Sequence, residues 1–154
     1  MKVGIIGSGI VAQTLGKAFI NEGYEVMLGS RDPKKEAVTK WRAANPAAKT
    51  GSFAEAAAYG ELLVLATAGH AALQALQICG LKNLEDKTVI DVTNPIAQAP
   101  PEKGVLKYIT SLELSLMEQL QLAAPRAKLV KAFNSVGNTP VSYTHLTLPT
   151  ILRV

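Results

Sequence analysis

Lys2-Val3-Gly4-Ile5-Ile6-Gly7-Ser8-Gly9-Ile10-Val11-Ala12 opens the chain with an apolar run that leads directly into a G-x-G-x-x-A pattern. The run predicts a buried β-strand, and the apolar positions after the glycines predict one face of an amphipathic helix. A strand, a glycine-rich turn and a helix in this order begin a Rossmann dinucleotide site. The alternative is a glycine-rich turn that joins a strand to a helix and binds nothing.

The small residues of this pattern have separate predicted roles. Gly7 lets the chain turn sharply, Gly9 lets a diphosphate approach the backbone, and Ala12 lets the helix pack closely on the strand. The first N–H groups of the helix have no intrahelical partners and favour an anion. We therefore predict that this segment binds the diphosphate, namely through Gly7, Ser8, Gly9, Ile10 and Val11.

The end of the second predicted strand, residues 24–28, indicates which dinucleotide is bound. Gly29-Ser30-Arg31-Asp32-Pro33-Lys34-Lys35 follows it. A site for NAD carries an acidic residue about 20 residues after the glycines, for the ribose 2′-hydroxyl. Ser30 and Arg31 stand there instead, and a hydroxyl, a guanidinium and the nearby Lys34 or Lys35 suit a 2′-phosphate. We therefore predict NADP as the cofactor, with Lys35 included in its site.

Two alternatives stay open at this strand end. Asp32 could be the ribose-binding acid displaced by a few positions, although its place before Pro33 is typical of the N-cap of a helix. Arg31 could be an ordinary solvated charge on the surface.

Composition limits the class of protein. The chain has 154 residues, of which 48% are hydrophobic, enough for one domain with a core. No apolar run approaches a membrane span and Met1-Lys2 leads into a core strand, so we expect a cytoplasmic protein without a membrane partner. The formal net charge is +4, but no basic stripe is interleaved with aromatic residues, so we expect no nucleic-acid partner. Cys79 is expected to pack in the core, and no metal site is expected.

Strand and helix patterns alternate along the rest of the chain, which favours parallel strands joined by crossover helices. We predict an α/β fold with a doubly wound, mostly parallel sheet in the strand order 3-2-1-4-5-6. The pattern predicts further strands at residues 49–50, 61–66, 88–92 and 128–133, helices at residues 33–45, 53–59 (capped by Ser52) and 71–79, and a last helix with Leu112, Leu116, Leu120 and Ala123 on one face.

The carboxyl ends of these strands predict the rest of the site, because ligands of open α/β sheets bind there, where the strand order reverses. The fourth strand leads into Thr67-Ala68-Gly69-His70, and the fifth into Thr93-Asn94-Pro95. The Asn94 amide could bond the nicotinamide or a substrate, or could close an Asx-turn before Pro95. His70 could act as an acid or base, cap the following helix or line the pocket.

Four segments together resemble the family of deazaflavin-dependent (coenzyme F420) NADP oxidoreductases and their NADP-binding relatives. They are Gly7-Ser8-Gly9, Gly29-Ser30-Arg31, Asp91-Val92-Thr93-Asn94-Pro95 and Lys131-Ala132-Phe133-Asn134. The resemblance covers residues 1–139, which we take as the NADP-binding domain. It implies that Ser30 and Arg31 bind the 2′-phosphate and that the nicotinamide and second substrate are surrounded by Thr67, His70, Asn94 and Asn134.

The resemblance also implies direct hydride transfer between nicotinamide C4 and the ring of an acceptor. Such a reaction needs alignment and a dry pocket more than an acid or base, so no catalytic residue is named. We expect an NADPH-dependent oxidoreductase with a small-molecule redox substrate, a deazaflavin being one candidate. A non-catalytic NADP-binding redox sensor and a fragment of a small imine or hydroxy-acid dehydrogenase stay open as alternatives. The dehydrogenase usually needs a Lys from a helical second domain, which these residues do not contain.

The end of the chain has a different predicted origin. Residues 141–150 back-translate to a sequence that resembles the transposase adapter of short-read library preparation, and Pro140, Ile151 and Val154 fit its reading frame. We therefore interpret residues 140–154 as a non-native tail and exclude them from fold reasoning, the alternative being a genuine β-strand. Family members continue beyond this point with segments that help cover the substrate and form a dimer. We accordingly expect a truncated chain that lacks the full activity of its full-length parent, and we allow a homodimer for that parent.

Overall fold

A computed structural model of the chain describes residues 1–111 and 113–135. It contains one six-stranded sheet in the order β3-β2-β1-β4-β5-β6, with all neighbouring strands parallel. The strands are β1 (Lys2–Ile6), β2 (Glu25–Gly29), β3 (Lys49–Gly51), β4 (Leu62–Leu65), β5 (Thr88–Asp91) and β6 (Lys128–Lys131). The helices are α1 (Ile10–Asn21), α2 (Glu36–Ala44), α3 (Phe53–Tyr59), α4 (Ala72–Cys79) and α5 (Leu116–Ala123). The predicted doubly wound sheet and its strand order are confirmed.

The sheet is covered on both faces, and its central strands alternate between the two cores. In β4, Leu63 and Leu65 pack in the cluster formed with α3, α4 and α5, whereas Val64 packs in the cluster formed with α1 and α2. This follows from the two-residue period of a strand, which sends successive side chains to opposite faces. Trp41 belongs to the second cluster, and its indole N–H donates to the Gln13 carbonyl over 3.1 Å. Burial on both faces holds the carboxyl ends of the central strands in a fixed row.

The segment between β2 and α2 differs from the prediction. Helix α2 begins at Glu36, not near Pro33, and its N-cap is Lys35, which makes no side-chain capping bond. Asp32 is therefore not the N-cap. Its Oδ1 instead accepts a hydrogen bond from the Lys34 backbone N–H over 3.0 Å. An aspartate can close a local turn in this way, and that turn uses the acceptor that a cap would need.

Two later predictions, the cap of α3 and the end of the sixth strand, have different outcomes. Ser52 caps α3 as expected, since its hydroxyl accepts from the Glu55 N–H and the Glu55 carboxylate accepts from the Ser52 N–H. The sixth strand ends at Lys131, earlier than predicted, and Phe133 has a φ of 61°, which no strand residue adopts. Leu112 and residues 136–154, on which further predictions fall, lie outside the described residues.

Residues 95–109, for which the sequence pattern predicted no helix or strand, form an irregular arm beside the sheet. Ile96 and Tyr108 form an isolated antiparallel bridge, and Glu102 and Lys107 form an exposed salt bridge of 2.6 Å. The arm starts directly after β5, so it borders the carboxyl edge of the sheet. Among the helices of the described ranges, none is both long and apolar enough to span a membrane.

Candidate functional site

Two adjoining clefts follow the carboxyl edge of the sheet. The first cleft has a volume of about 410 Å³ and lies over the ends of β1, β2 and β4. It is lined by Gly7, Ser8, Gly9, Ser30, Arg31, Asp32, Lys35, Phe53, Ala66, Thr67, Ala68, Ala71, Gln74, Ala75 and Ile78. The second cleft has a volume of about 450 Å³ and lies over the ends of β4 and β5. It is lined by Gly9, Ile10, Val11, Ala66, Thr67, Ala68, Gly69, His70, Val92, Thr93, Asn94, Ile96, Ala97 and Gln98.

The two clefts are parts of one groove, because Gly9, Ala66, Thr67 and Ala68 line both of them. The shared wall lies where β1 and β4 meet, which is the point at which the strand order reverses. This is the place where open α/β sheets bind their ligands. The groove therefore runs from the end of β2 to the end of β5.

The two glycines of the first turn serve different purposes. Gly7 has a φ of +141°, and a Cβ added to it would lie 2.3 Å from the carbonyl oxygen of Ala66. It is required for the chain itself, because the end of β1 touches the end of β4. A Cβ added to Gly9 would meet nothing within 4 Å. Gly9 therefore keeps a space open that the fold does not use.

The start of α1 is arranged for an anion. Gly9 is its N-cap, and no side chain of the described residues caps it. The N–H groups of the first turn thus remain available to a ligand, and the helix dipole favours negative charge there. Gln13 braces the turn, since its side-chain amide donates to the Ser8 carbonyl over 3.0 Å.

Two cations lie at the outer end of the first cleft. Arg31 and Lys35 both line it, whereas Lys34 does not. Asp32 also lines the cleft, and its Oδ1 is the acceptor for the Lys34 N–H. A guanidinium and an ammonium at the end of β2 suit a phosphate group on the adenosine ribose.

Ser30 is more deeply placed than its neighbours, with only 3% of its surface exposed. Its hydroxyl donates to the Asp32 carbonyl over 3.0 Å and accepts from the Asp32 N–H over 3.2 Å. Its oxygen also lies 3.0 Å from the Ser8 hydroxyl, which must be the donor because the Ser30 proton is already used. Ser30 therefore ties the glycine turn to the end of β2.

Thr67 shows that the groove is suited to a ligand with polar groups. Its hydroxyl oxygen is buried and has no hydrogen-bond partner within the described ranges. It lies in the wall that both clefts share, between the cations of the first cleft and the apolar second cleft. A buried hydroxyl without a partner is costly, and a bound group would satisfy it. Together with the open space at Gly9 and the two cations, this fits a dinucleotide that carries a 2′-phosphate.

The second cleft is largely apolar. Ile10, Val11, Val92, Ile96 and Ala97 contribute its aliphatic surface, and Ile10 is 68% exposed at the start of α1. An exposed isoleucine beside a glycine turn offers a flat apolar contact for a ring.

Asn94 does not close the Asx-turn that was one of its two predicted roles. Its side-chain amide donates to the Asn134 carbonyl over 3.0 Å, which links the segment after β5 to the segment after β6. Asn134 itself lines neither cleft, and its link to the site is this backbone carbonyl. Pro95 lines neither cleft and packs behind Gly69, where a glycine Cβ would lie 3.1 Å from its Cα.

His70 lines the second cleft and does not cap α4, whose N-cap is Ala71. Its Nε2 lies 2.8 Å from Nε2 of Gln98 in the arm. The amide and the imidazole thus share a hydrogen bond that joins the arm to the segment after β4. Gln98 was not predicted, since it lies in a proline-rich stretch without periodicity.

The other groups that the sequence left in question are structural. Cys79 is fully buried in the core with α3 and α5, and burial raises the pKa of its thiol to about 12. It packs as a small apolar residue, as predicted. Within the described ranges, no group of three or more His, Cys, Asp or Glu residues is arranged to hold a metal ion. Phe53, Gln74 and Ile78 line the first cleft without any sequence signal beyond helix periodicity.

Comparisons with known proteins agree with this geometry. Residues 2–95 match the family described as NADP oxidoreductase, coenzyme F420-dependent. The chain is 31% identical over 137 residues to the metalloreductase STEAP3 of Rattus norvegicus, a match that spans 88% of this chain and 25% of that protein.

Solved structures share the fold. The crystal structure of a candidate F420-dependent NADP reductase from Arthrobacter sp. FB24 aligns with a TM-score of 0.83 at 32% identity, over 91% of this chain and 65% of the other. A hypothetical protein from Sinorhizobium meliloti aligns with a TM-score of 0.73 at 20% identity, over 93% of this chain and 65% of the other. The chain therefore spans a quarter of the rat protein and just under two thirds of the two solved chains.

Proposed function

The chain belongs to the family of coenzyme F420-dependent NADP oxidoreductases, whose cofactor is NADP, and from this premise we propose that it transfers a hydride between NADPH and a deazaflavin-type acceptor. The observation that carries the proposal is the continuous groove. It has cations at one end, a glycine turn at a helix N-terminus in the middle and an apolar cleft at the other end. These features match, in order, a 2′-phosphate, a diphosphate and a nicotinamide.

Bound NADPH supplies a hydride from nicotinamide C4, and the acceptor takes up this hydride and a proton, so that NADPH becomes NADP⁺ and the acceptor gains two electrons. The residues of the chain bind and orient. Arg31 and Lys35 hold the 2′-phosphate, and the first N–H groups of α1 hold the diphosphate. Ile10 and Val11 offer the apolar surface that keeps a ring in place and excludes water from one side.

The second cleft provides few proton carriers. Of the described residues that line it, His70 is the one with an ionisable side chain, and it is exposed. Hydride transfer depends mainly on the alignment of donor and acceptor, and the acceptor proton can come from solvent. The scarcity of acid and base groups is therefore compatible with hydride transfer.

Turnover of NADPH with different acceptors tests the proposal. NADPH oxidation is followed by absorbance with coenzyme F420, with FMN, with ferric citrate and with no acceptor. Ferric citrate is included because a relative is named a metalloreductase. We expect oxidation with F420 and none without an acceptor, and Gly9→Val, which fills the open groove, as an inactive control. NADPH binding without reduction of any acceptor would contradict the proposal and favour a non-catalytic redox sensor.

A further inference from the structure

An ion pair between a buried carboxylate and a partly exposed ammonium lies behind the wall of the second cleft. Asp91 ends β5 and Lys131 ends β6, and the two residues are direct partners in the parallel register. The Lys131 ammonium lies 2.9 Å from Oδ2 of Asp91, whose exposed fraction is 0%. Within residues 1–111 and 113–135, no other cation forms a salt bridge with this carboxylate.

The same pair engages every polar group of Thr93. The Thr93 N–H donates to Oδ1 of Asp91 over 2.9 Å, and the Thr93 hydroxyl donates to the same oxygen over 2.7 Å. The Lys131 ammonium donates to the Thr93 carbonyl. Thr93 is 2% exposed, so these bonds are shielded from water. The ion pair therefore fixes the conformation of the residue that precedes Asn94.

Asn94 carries this position into the groove. Thr93 and Asn94 both line the second cleft, and a Cβ added to Gly69 would lie 2.1 Å from the Asn94 carbonyl oxygen. The segment after β5 thus touches the segment after β4 with no space between them. A displacement of Thr93 would move the wall that faces the nicotinamide.

The location of the buried polar side chains distinguishes a functional role of the ion pair from ordinary core packing. The buried polar residues of the described ranges are Ser30, Asp91 and Thr93, and each lies at the carboxyl edge of the sheet. Pairing a buried carboxylate with a cation usually stabilises a fold no more than an apolar pair of similar volume, because the carboxylate loses its hydration. Stability alone therefore gives no reason for Asp91 and Lys131 at this place, whereas a need for fixed geometry does.

We propose that Asp91 and Lys131 are positioning residues for hydride transfer, because their ion pair, through Thr93, sets the wall of the second cleft where nicotinamide and acceptor meet. This rests on the proposed function of that cleft.

Variants of the 154-residue chain test the proposal. Lys131→Met removes the ammonium, Lys131→Arg keeps a cation, and Lys128→Met removes an exposed lysine from the same strand as a matched control. The double variant Asp91→Asn/Lys131→Met removes both charges but keeps an oxygen for Thr93, so it avoids the unpaired buried carboxylate that could unfold Lys131→Met. Each variant is measured for Tm, for the Kd of NADPH by nicotinamide fluorescence, and for kcat and KM with coenzyme F420.

We expect kcat/KM for F420 to fall about tenfold or more in Lys131→Met and in the double variant, while the Kd of NADPH stays within about threefold of wild type. Lys131→Arg should restore most of the loss, and Lys128→Met should behave as wild type. A folded double variant with wild-type kcat and KM would overturn the proposal. Equal losses of NADPH affinity and turnover, with a lowered Tm, would also overturn it and assign the pair a purely structural role.

If the wild-type chain binds NADPH but does not reduce F420, the proposed function is wrong. The positioning role is then tested through the fluorescence of bound NADPH alone. The emission intensity and anisotropy of bound NADPH report how firmly the nicotinamide is held. A change in these at unchanged Kd in the double variant supports the positioning role, and identical values overturn it.

Discussion

The two glycines of the first turn allow folding and binding to be tested separately. Gly9→Val should leave the circular dichroism spectrum close to wild type, because a Cβ at Gly9 meets nothing within 4 Å and the φ of −74° suits any residue. It should abolish NADPH binding, since the side chain fills the place of the diphosphate. Titration by nicotinamide fluorescence measures the affinity.

Gly7→Ala is the contrasting control. Its Cβ would clash with the Ala66 carbonyl at 2.3 Å, and its φ of +141° strains any side chain, so this variant should lose stability before it loses affinity. If Gly9→Val bound NADPH normally, the glycine turn would have no role in binding.

Arg31 is predicted to decide between NADPH and NADH. Arg31→Ala should weaken NADPH binding by about 1.5–3 kcal/mol, the range for a hydrogen bond to a charged group, and should barely change NADH binding. Lys35→Ala should act in the same direction, because Lys35 also lines the first cleft. Lys34 does not line it, so Lys34→Ala is a control of equal charge that should leave the preference unchanged. Equal losses for both dinucleotides in Arg31→Ala would show that the guanidinium supports the fold instead of recognising the phosphate.

At the scale of elements, the caps of α3 and α5 make stability depend on pH. Hydrogen bonds from the Ser52 backbone N–H and then from its hydroxyl lower the pKa of Glu55 below its usual value. Ser115 is the N-cap of α5, and its hydrogen bonds with Glu118 lower the pKa of that carboxyl in the same way. A carboxyl whose pKa is lower in the folded chain stabilises the fold above its unfolded pKa, and this contribution is lost as the pH falls through the folded pKa.

Glu55→Gln should therefore lower the urea midpoint at pH 7 and have less effect at acid pH, where the wild-type carboxyl is itself protonated. Glu22→Gln is the matched control, because Glu22 ends α1 without a side-chain bond among the described residues. Circular dichroism in urea at both pH values measures the difference. A midpoint difference that is the same at both pH values would remove the charge from this account.

The elements show where sequence patterns suffice and where they do not. Strands β1 and β4 were predictable because a strand that is buried on both faces has a short, continuous apolar run in its sequence. The start of α2 was not, because the turn at Asp32 competes locally with a cap, and both are typical of an aspartate before proline. The residues of the candidate site were likewise predictable in part.

Residues next to glycines or at strand ends were located by topology, whereas contacts between distant loops had no local signal. Gln98 contacts His70, and the Asn94 amide contacts the Asn134 carbonyl, because the fold of the sheet brings together segments that are distant in sequence. The pairing of Asp91 with Lys131 likewise depends on the register between β5 and β6. The structure shows where these residues lie, whereas the binding roles of the predicted site residues stay predictions.

For the whole molecule, the sheet and its two cores place one groove along a single edge, and the family match over residues 2–95 covers the strands that form most of it. The arm after β5 presents exposed apolar side chains beside this groove, among them Val105 at 67% and Tyr108 at 63%. A homodimer of the full-length parent stays a prediction, and size-exclusion chromatography with light scattering would measure it.

Deletion of residues 141–154 tests whether the tail belongs to the protein. The two core clusters consist of residues between Val3 and Leu129. Both clefts are lined by residues between Gly7 and Gln98. If the tail derives from an adapter, its side chains were never selected to pack on this core, so its removal should leave the Tm and the Kd of NADPH within experimental error. Thermal melting and fluorescence titration of the two chains measure this directly. A deletion that unfolds the protein, or a genomic read through codons 138–154 without adapter sequence, would show that the tail is native.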